Sequence, residues 1–413
     1  MWDRETGTPV YNVIVLQDRR TADHCARLKL EGHEERVRGK TGLLIDPYFS
    51  GTKVAWILDN VSGARARAQN GKLAFGAVDS GLIWNLTSGR SHVTDRINAS
   101  RTLLYNIVEE RWDAELLRLL NIRESMMPEV IRSNEKVSRA STSPGLGDIE
   151  IAGIAGDQQS ARFGQLCVNA GDAENTFETG CFLLQNIGHR FTLSREHLIT
   201  TMACSIECKP QYALEGSVFI GGAVVQWLRD RMRFFEKASD SENIAQSVAD
   251  SCNLILVPAF TGSGAPHWDP YASGMLIGLQ RNTKIGHIAR AALESIAFQV
   301  ADVLLALQND TGTRSTRLRA DDGAAANDML MQRQANVLGI SVERRAILET
   351  SAQGAGYLAG LATEYWTDVV ELAKTRPAGQ AFVPQHERDR ATRQYARRQD
   401  AVTRSKGWNT GAA

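Results

Sequence analysis

Short apolar runs separated by turn residues fill the first half of the chain. Val10 to Leu16 reads as a strand, Leu43 to Tyr48 leads into an Asp-Pro turn, and Leu73 to Trp84 is an apolar run broken at Gly76 and Gly81. Between Arg101 and Leu120 the apolar residues Leu103, Leu104, Val108, Trp112, Leu116 and Leu119 recur every three or four positions, which predicts a helix with one apolar face. From Ser133 to Ile149 apolar density gives way to Ser, Thr, Pro, Gly and charge, so a surface loop is expected there. Ile149 to Asp157 then reads as a strand ending in small residues and a carboxylate, with a helix starting at Gln158. In α/β folds that arrangement presents a carboxylate in the crevice beyond the strand ends.

The second half repeats this grammar. Phe177 to Phe182 has the pattern of a turn between two strands, and Gly221-Gly222 opens a helix with Val224, Trp227, Leu228, Met232 and Phe235 on one face. His287 to Leu307 carries the clearest helical stripe, through Ile288, Ala292, Ile296, Val300, Val303, Leu304 and Leu307. Leu318 to Asp322 leads into Gly323 to Asn327, followed by a helix that stops at Gly339. Ser351 to Trp366 is Gly/Ala-rich and helical, a composition that lets two backbones approach closely, and Arg388 to Arg398 reads as a solvated terminal helix. The mixture predicts α/β or α+β layers.

Charge narrows the functional classes. The 413 residues carry 47 basic and 47 acidic side chains, and a formal net charge of zero argues against a general nucleic-acid binder. With 43% apolar residues the chain can bury a large core, and its length suggests two or three domains. No run of about 18 consecutive apolar residues occurs, and the first residues are charged, so a cytoplasmic protein without membrane insertion is expected. Cysteines are scattered; only Cys204 and Cys208 lie close together, a weak metal signal without nearby histidines. Asn-x-Ser/Thr triplets such as those at Asn85, Asn98 and Asn309 carry meaning only in a secreted chain.

Three Gly-containing turns, at Thr179-Gly180, Gly221-Gly222 and Gly323, fall where a strand gives way to a turn or helix. Each either serves backbone geometry alone or exposes N–H groups to an anion. Together with Asp157 ahead of them, they fit a nucleotide site.

Several segments carry a family resemblance. Tyr11 to Arg20, Thr41 to Lys53, His92-Val-Thr-Asp95 with Asn98-Ala-Ser-Arg101, Gly153 to Gln159, Phe163 to Cys167, Phe260-Thr-Gly262 with Gly264-Ala-Pro266 and Trp268 to Tyr271, and Ala289 to Gln299 resemble the glycerol kinase family of carbohydrate kinases, relatives of actin and ribonuclease H. The likeness is nearly collinear from Trp2 to about Leu372. It implies an α/β fold of two ribonuclease-H-like, actin-like ATPase domains around a cleft, over residues 1–165 and 166–400, with 401–413 as a tail. It implies transfer of the ATP γ-phosphate to glycerol with Mg2+, in a homo-oligomer. Asp157 would be the general base and help place Mg2+; Tyr48 and Gln158 would bind glycerol hydroxyls and Phe182 its carbon skeleton. Thr179 would meet the terminal phosphates, Gly222 and Gln226 would line the nucleotide pocket, and Gly323 with Asn327 would hold the adenosine end. The bland alternatives are a core tyrosine at 48 and a helix N-cap at 157.

The same resemblance marks departures. The chain opens at the family's Trp-x-x-Glu-Thr-Gly segment, so the first domain is expected to lack its N-terminal strands, an Asp-x-Gly-Thr-Thr phosphate loop and an Arg-Glu pair that holds glycerol, and turnover is expected to be low. A non-catalytic nucleotide-binding or subunit-interaction relative is the alternative. Leu16 stands where the family has a Trp against glycerol, which enlarges the pocket. Glu178 and Asp322 replace glycines beside the phosphate and adenosine turns, adding a Cβ on tight backbone and negative charge near anions. Arg162 replaces an apolar residue, and Ser143 to Asp148 replaces the loop through which bacterial relatives bind a sugar bisphosphate.

Overall fold

The computed structural model describes all of the chain except residues 16–17, 141–147, 270, 348, 376, 386–387 and 410–413. Among the described residues, one mixed sheet dominates the second half. Its strands are β1 (Ala173–Phe177), β2 (Cys181–Gly188), β3 (Ile199–Ala203), β4 (Gln211–Val218), β5 (Arg317–Asp321), β6 (Ser341–Arg344) and β7 (Gln380–Phe382), in spatial order β3-β4-β2-β1-β5-β6-β7. The first four are antiparallel neighbours, β5 runs parallel to both β1 and β6, and β7 closes the edge antiparallel to β6. The helices that concern the site are α1 (Asp157–Gly164), α2 (Ala223–Asp230), α3 (Ile285–Thr311), α4 (Asp328–Leu338), α5 (Thr350–Ala362) and α6 (Arg388–Ser405).

Alternation along the strands sorts the two faces. Ala173 and Phe177 of β1, and Leu318 and Ala320 of β5, join α2, α3 and α4 in one continuous apolar core. Ile296, Val300, Val303 and Leu307 of α3 are fully buried there, each contributing about 1.5–3 kcal/mol relative to exposure. α3 is long and apolar enough to cross a membrane, but 83% of its most apolar stretch is buried inside the protein, as befits a core helix. The opposite face lies under α1 and α5. Those helices cross with small residues at the contact: a Cβ on Gly354 would lie 1.9 Å from the Ser160 carbonyl oxygen, and one on Gly164 would lie 2.2 Å from that of Thr350.

The first 164 residues have a second core, centred on Leu43, Ile45, Leu58, Leu73, Leu104 and Met126, which Ile199 of β3 joins. Among the described residues their strands form only two-stranded pairings. Helices and buried side chains carry this half.

Several expectations hold. The Asp46-Pro47 turn forms, β1 and β2 make a hairpin, helices α3 and α5 form, and α4 ends at Gly339 in the left-handed conformation. Others need correction. Val10 to Leu16 is not a strand over its described residues: Val13 is 80% exposed and no ladder partner lies beside it. The 101–120 helix is instead a hairpin, Tyr105–Asn106 against Arg111–Trp112, followed by a short helix Ala114–Leu119. Asn106 Oδ1 accepts the N–H groups of Val108 and Glu109, and Asp113 Oδ1 accepts those of Glu115 and Leu116, so local side-chain bonds outcompete the apolar period. Gly81 breaks nothing, lying within a helix over Val78–Leu86. Between Ser133 and Ile149 the strand Ser138–Ala140 pairs with Ile149–Ile151, and residues 143–147 of the expected regulator loop lie outside the described residues. The helix opened at Gly222 ends at Asp230, before Met232 and Phe235. Residues 401–405 are not tail: they complete α6, with Ala401 and Val402 buried against Val257, Ala259 and Ala272.

Candidate active site

Asp157 is the first residue of α1, with Gly156 as its N-cap, and it is exposed. Its Oδ1 accepts the Gln158 N–H at 2.8 Å, and a carboxylate in this place is favoured by the helix dipole. The helix start is fixed from two sides. Ser351 of α5 donates to the Asp157 carbonyl at 3.1 Å, while Ser160 donates to the Ser351 carbonyl at 2.7 Å. On the other side Gly156 lies against Asn98, whose Oδ1 would be 3.4 Å from a Cβ at that position. Asn98 is itself held by Asp95 Oδ1, which accepts both its backbone N–H at 2.9 Å and its amide at 2.8 Å. Asp95 is fully buried, and burial raises its carboxyl to about 7 despite bonds from Ser133 and Asn98.

The short helix Arg96–Ser100 connects this corner to the next. Arg101, directly after it, makes a two-pronged ion pair with Glu215 of β4 at 2.7 and 3.1 Å, and its guanidinium sits 5.5 Å from the Tyr48 ring centre. Burial pulls the Arg101 pKa down, but Glu215 and Tyr48 outweigh it and raise it. Tyr48 is half-buried at the end of the Asp-Pro turn, its N–H bonded to Asp46 at 2.9 Å. It is not a sealed core tyrosine. In register, Glu215 faces Leu184 and Ser217 faces Phe182, so Phe182 shares the face of the sheet that Arg101 and Tyr48 approach. Leu16 lies outside the described residues.

The three glycine turns converge. The carbonyl of Thr179 accepts the N–H groups of Gly221 and Ala223, and that of Glu178 accepts the N–H of Gly222 at 2.7 Å. Only glycine fits at 222, where a Cβ would fall 2.6 Å from the Glu178 oxygen, and Ala324 lies 3.6 Å from the same point. Thr179, Gln226 and Gly323 are exposed around this junction, and α2 starts there, its first N–H groups bonded to the carbonyls of Thr179, Gly221 and Gly222. Asn327 spends its Oδ1 capping α4 through the Leu330 N–H at 2.8 Å.

The departures have visible consequences. Asp322 adopts φ 68° and accepts the Gly323 N–H at 2.5 Å. Glu178 is raised above the ordinary carboxyl range by burial first, then by Asp322 and Asp157, so three carboxylates share this region. Arg162 neither reaches solvent nor pairs with an acid. It is fully buried and donates to Gln159 Oε1 and to the carbonyls of Cys167 and Cys204. Sequence reasoning assigned no role to Arg101, although its motif was visible, and none to Glu215, Glu174 or Asp321. For Glu215 the available signal was a charged residue within the strand Gln-Tyr-Ala-Leu-Glu-Gly-Ser-Val; the strands of Glu174 and Asp321 carry other polar residues and gave none.

A parallel-stranded floor, converging glycine turns and an exposed carboxylate at a helix start are the parts a phosphoryl-transfer site requires. The models of the FGGY family of carbohydrate kinases match the chain with their N-terminal domain over residues 1–164 and their C-terminal domain over residues 173–363, and the chain belongs to that family. It is 55% identical over 408 residues to a glycerol kinase of Koribacter versatilis, covering 99% of this chain and 82% of that one. A glycerol kinase of Haemophilus influenzae is 52% identical over 410 residues, covering 99% and 81%. The crystal structure of Plasmodium falciparum glycerol kinase with ADP superposes with a TM-score of 0.92 at 33% identity, covering 98% of this chain and 81% of that one. A ligand-bound xylulose kinase from Lactobacillus acidophilus shares the fold, with a TM-score of 0.83 at 22% identity over 96% of this chain and 81% of that one.

Proposed function

We propose that this chain is an ATP-dependent glycerol kinase that yields sn-glycerol 3-phosphate and ADP. The observation that carries this reading is identity above half, over 99% of the chain, to relatives named glycerol kinase. The two domains, residues 1–165 and 166–400, would close on the cleft where Asp157 faces the glycine turns. Tyr48 and Gln158 bind glycerol hydroxyls and Phe182 packs on the carbons. Asp157 accepts the proton of the attacking hydroxyl as its oxygen bonds to the γ-phosphorus and the bond from that phosphorus to the β-γ bridging oxygen breaks, leaving ADP. Thr179 and the bare backbone around Gly222 receive the terminal phosphates, Gln226 lines the nucleotide pocket, and Gly323 with Asn327 holds the adenosine end.

One exposed carboxylate beside anion-binding turns suits Mg2+, which takes one or two carboxylates and completes its shell with water and phosphate oxygens. No cluster of three or more His, Cys, Asp or Glu side chains suited to a metal occurs among the described residues, so Asp157 would hold the ion together with the nucleotide. When bound, Mg2+ neutralises charge on the phosphates. A cytoplasmic homo-oligomer completes the reading, checked by light scattering.

The test is transfer of labelled γ-phosphate from ATP to glycerol by the purified chain. Asp157→Ala should lower kcat by about 10²–10⁴-fold while ADP still binds. Equal turnover in both proteins removes Asp157 from the reaction. A second reading, nucleotide binding without turnover, draws on the acidic Glu178 and Asp322 at the phosphate turns. It predicts ADP binding with no glycerol phosphorylation.

A further inference from the structure

Two carboxyls beneath the nucleotide turns have no part in the reaction above. Glu174 of β1 is 0% exposed and Asp321 of β5 is 1% exposed. From Glu174 the chain runs through β1 to the Thr179 turn, and from Asp321 it passes at once to Asp322 and Gly323. The two strands are parallel neighbours, with Asp321 opposite Thr176. Thr176 donates to Glu174 Oε1 at 2.8 Å, and Thr350, the first residue of α5, donates to Asp321 Oδ2. The two carboxyls project from the same face of the β1–β5 ladder one register step apart, close enough for the Asp321 charge to act on Glu174. The oxygens that the threonines leave, Glu174 Oε2 and Asp321 Oδ1, have no further partner.

Ionised carboxylates only accept, so a hydrogen bond between them needs one proton. Among the described residues no cation is bonded to either carboxyl. Arg162 of α1 lies near enough to Glu174 to favour its charged form, but it gives its N–H groups to Gln159, Cys167 and Cys204. Arg319, opposite Glu174 in register, donates to the Leu166 carbonyl and the Cys167 sulfur and pairs with Asp172 and Glu343. Asp322 adds further negative charge from the turn above.

We propose that Glu174 and Asp321 share one proton across the β1–β5 ladder, and that this protonated pair is a positioning element that holds the Thr179 and Gly323 turns at the spacing a nucleoside phosphate requires. The second clause rests on the nucleotide reading above. Loss of the proton would set two buried negative charges side by side. Repulsion would then spread β1 from β5, and through Thr350 it would reach α5, on which the Asp157 helix rests. Burial raises both groups, Glu174 well above the ordinary range and Asp321 to about 6; the Asp321 charge raises Glu174 further, while Glu174 lowers Asp321. The folded state therefore keeps a proton that the unfolded chain releases near pH 4. Its stabilisation is full below that value and is lost as pH rises through the raised folded value of the pair.

Glu174→Gln replaces the shared O–H with an amide that donates to Asp321 without titrating. Asp321→Asn does the same from the other side and can still accept from Thr350. Melting of the purified chain from pH 5 to 8 should show Tm falling more steeply in the wild type than in either variant. Parallel Tm profiles in all three overturn the shared proton. Calorimetric titration with ADP at pH 5.5 and 8 should show affinity falling with pH by about 5-fold more in the wild type than in Glu174→Gln. Equal ratios overturn the positioning role. ADP binding at neither pH overturns the nucleotide reading and the positioning role with it, while the Tm profiles still decide the proton.

Discussion

The turns at Thr179, Gly222 and Gly323 grow out of a single seven-stranded sheet backed by α2, α3 and α4, whereas Tyr48, Asn98 and the approach to Asp157 stand on short helices and two-stranded pairings. In the first region backbone ladders fix the site, and side chains are free to depart from what an anion prefers, as Glu178 and Asp322 do. In the second, buried titratable side chains replace the ladder: Asp95 holds Asn98, and Glu215 holds Arg101 beside Tyr48. Precision in one half is a property of main chain, in the other of a few titratable groups. The halves should therefore respond differently to substitution and to pH.

Removing the Arg101 charge tests that contrast most sharply. Arg101→Met leaves Glu215, 2% exposed, without its partner, and should destabilise the protein by about 3 kcal/mol in urea titration, at the low end for a broken buried pair because Arg101 keeps some solvent contact. The double change Arg101→Met with Glu215→Leu should recover most of that loss. If the single change costs nothing, the first half is not held by this pair.

Asp95→Asn gives the next effect. The folded carboxyl binds its proton up to about pH 7, the unfolded one only to about 4, so wild-type stability attributable to this group declines between those values, at up to about 1.4 kcal/mol per pH unit. An amide cannot titrate, so the variant should lack that slope in urea titrations from pH 4.5 to 7. Identical slopes would mean that Asp95 ionises in the folded protein at an ordinary pH.

Asp322→Gly should give the smallest change, and of opposite sign. It relieves a positive-φ conformation and withdraws a carboxylate from the anion turns, so stability should rise by about 1 kcal/mol and ADP should bind more tightly. Weaker ADP binding would show that the Asp322 bond to the Gly323 N–H shapes the turn more than its charge harms it.

Elements whose signal is local were legible in the chain. α3 follows from an uninterrupted apolar stripe, the end of α4 from Gly339, the β1–β2 hairpin from its turn, and the start of α1 from small residues before Asp157. Periodicity misled at 101–120, where Asn106 and Asp113 capture neighbouring N–H groups that a helix would have used. At Val10 to Leu16 apolar residues alone could not make a strand, because a strand exists only with a partner ladder.

By itself, then, the sequence determined where backbone could turn sharply, which segments had an apolar face to bury, and which carboxylate would open a helix in the cleft. Those are consequences of single residues and near neighbours. Only the tertiary structure decided that Arg101 meets Glu215 across 114 residues, that Arg162 turns inward to backbone carbonyls, and that Glu174 lies against Asp321. Their protonation and partners depend on burial, and burial is set by how distant segments pack.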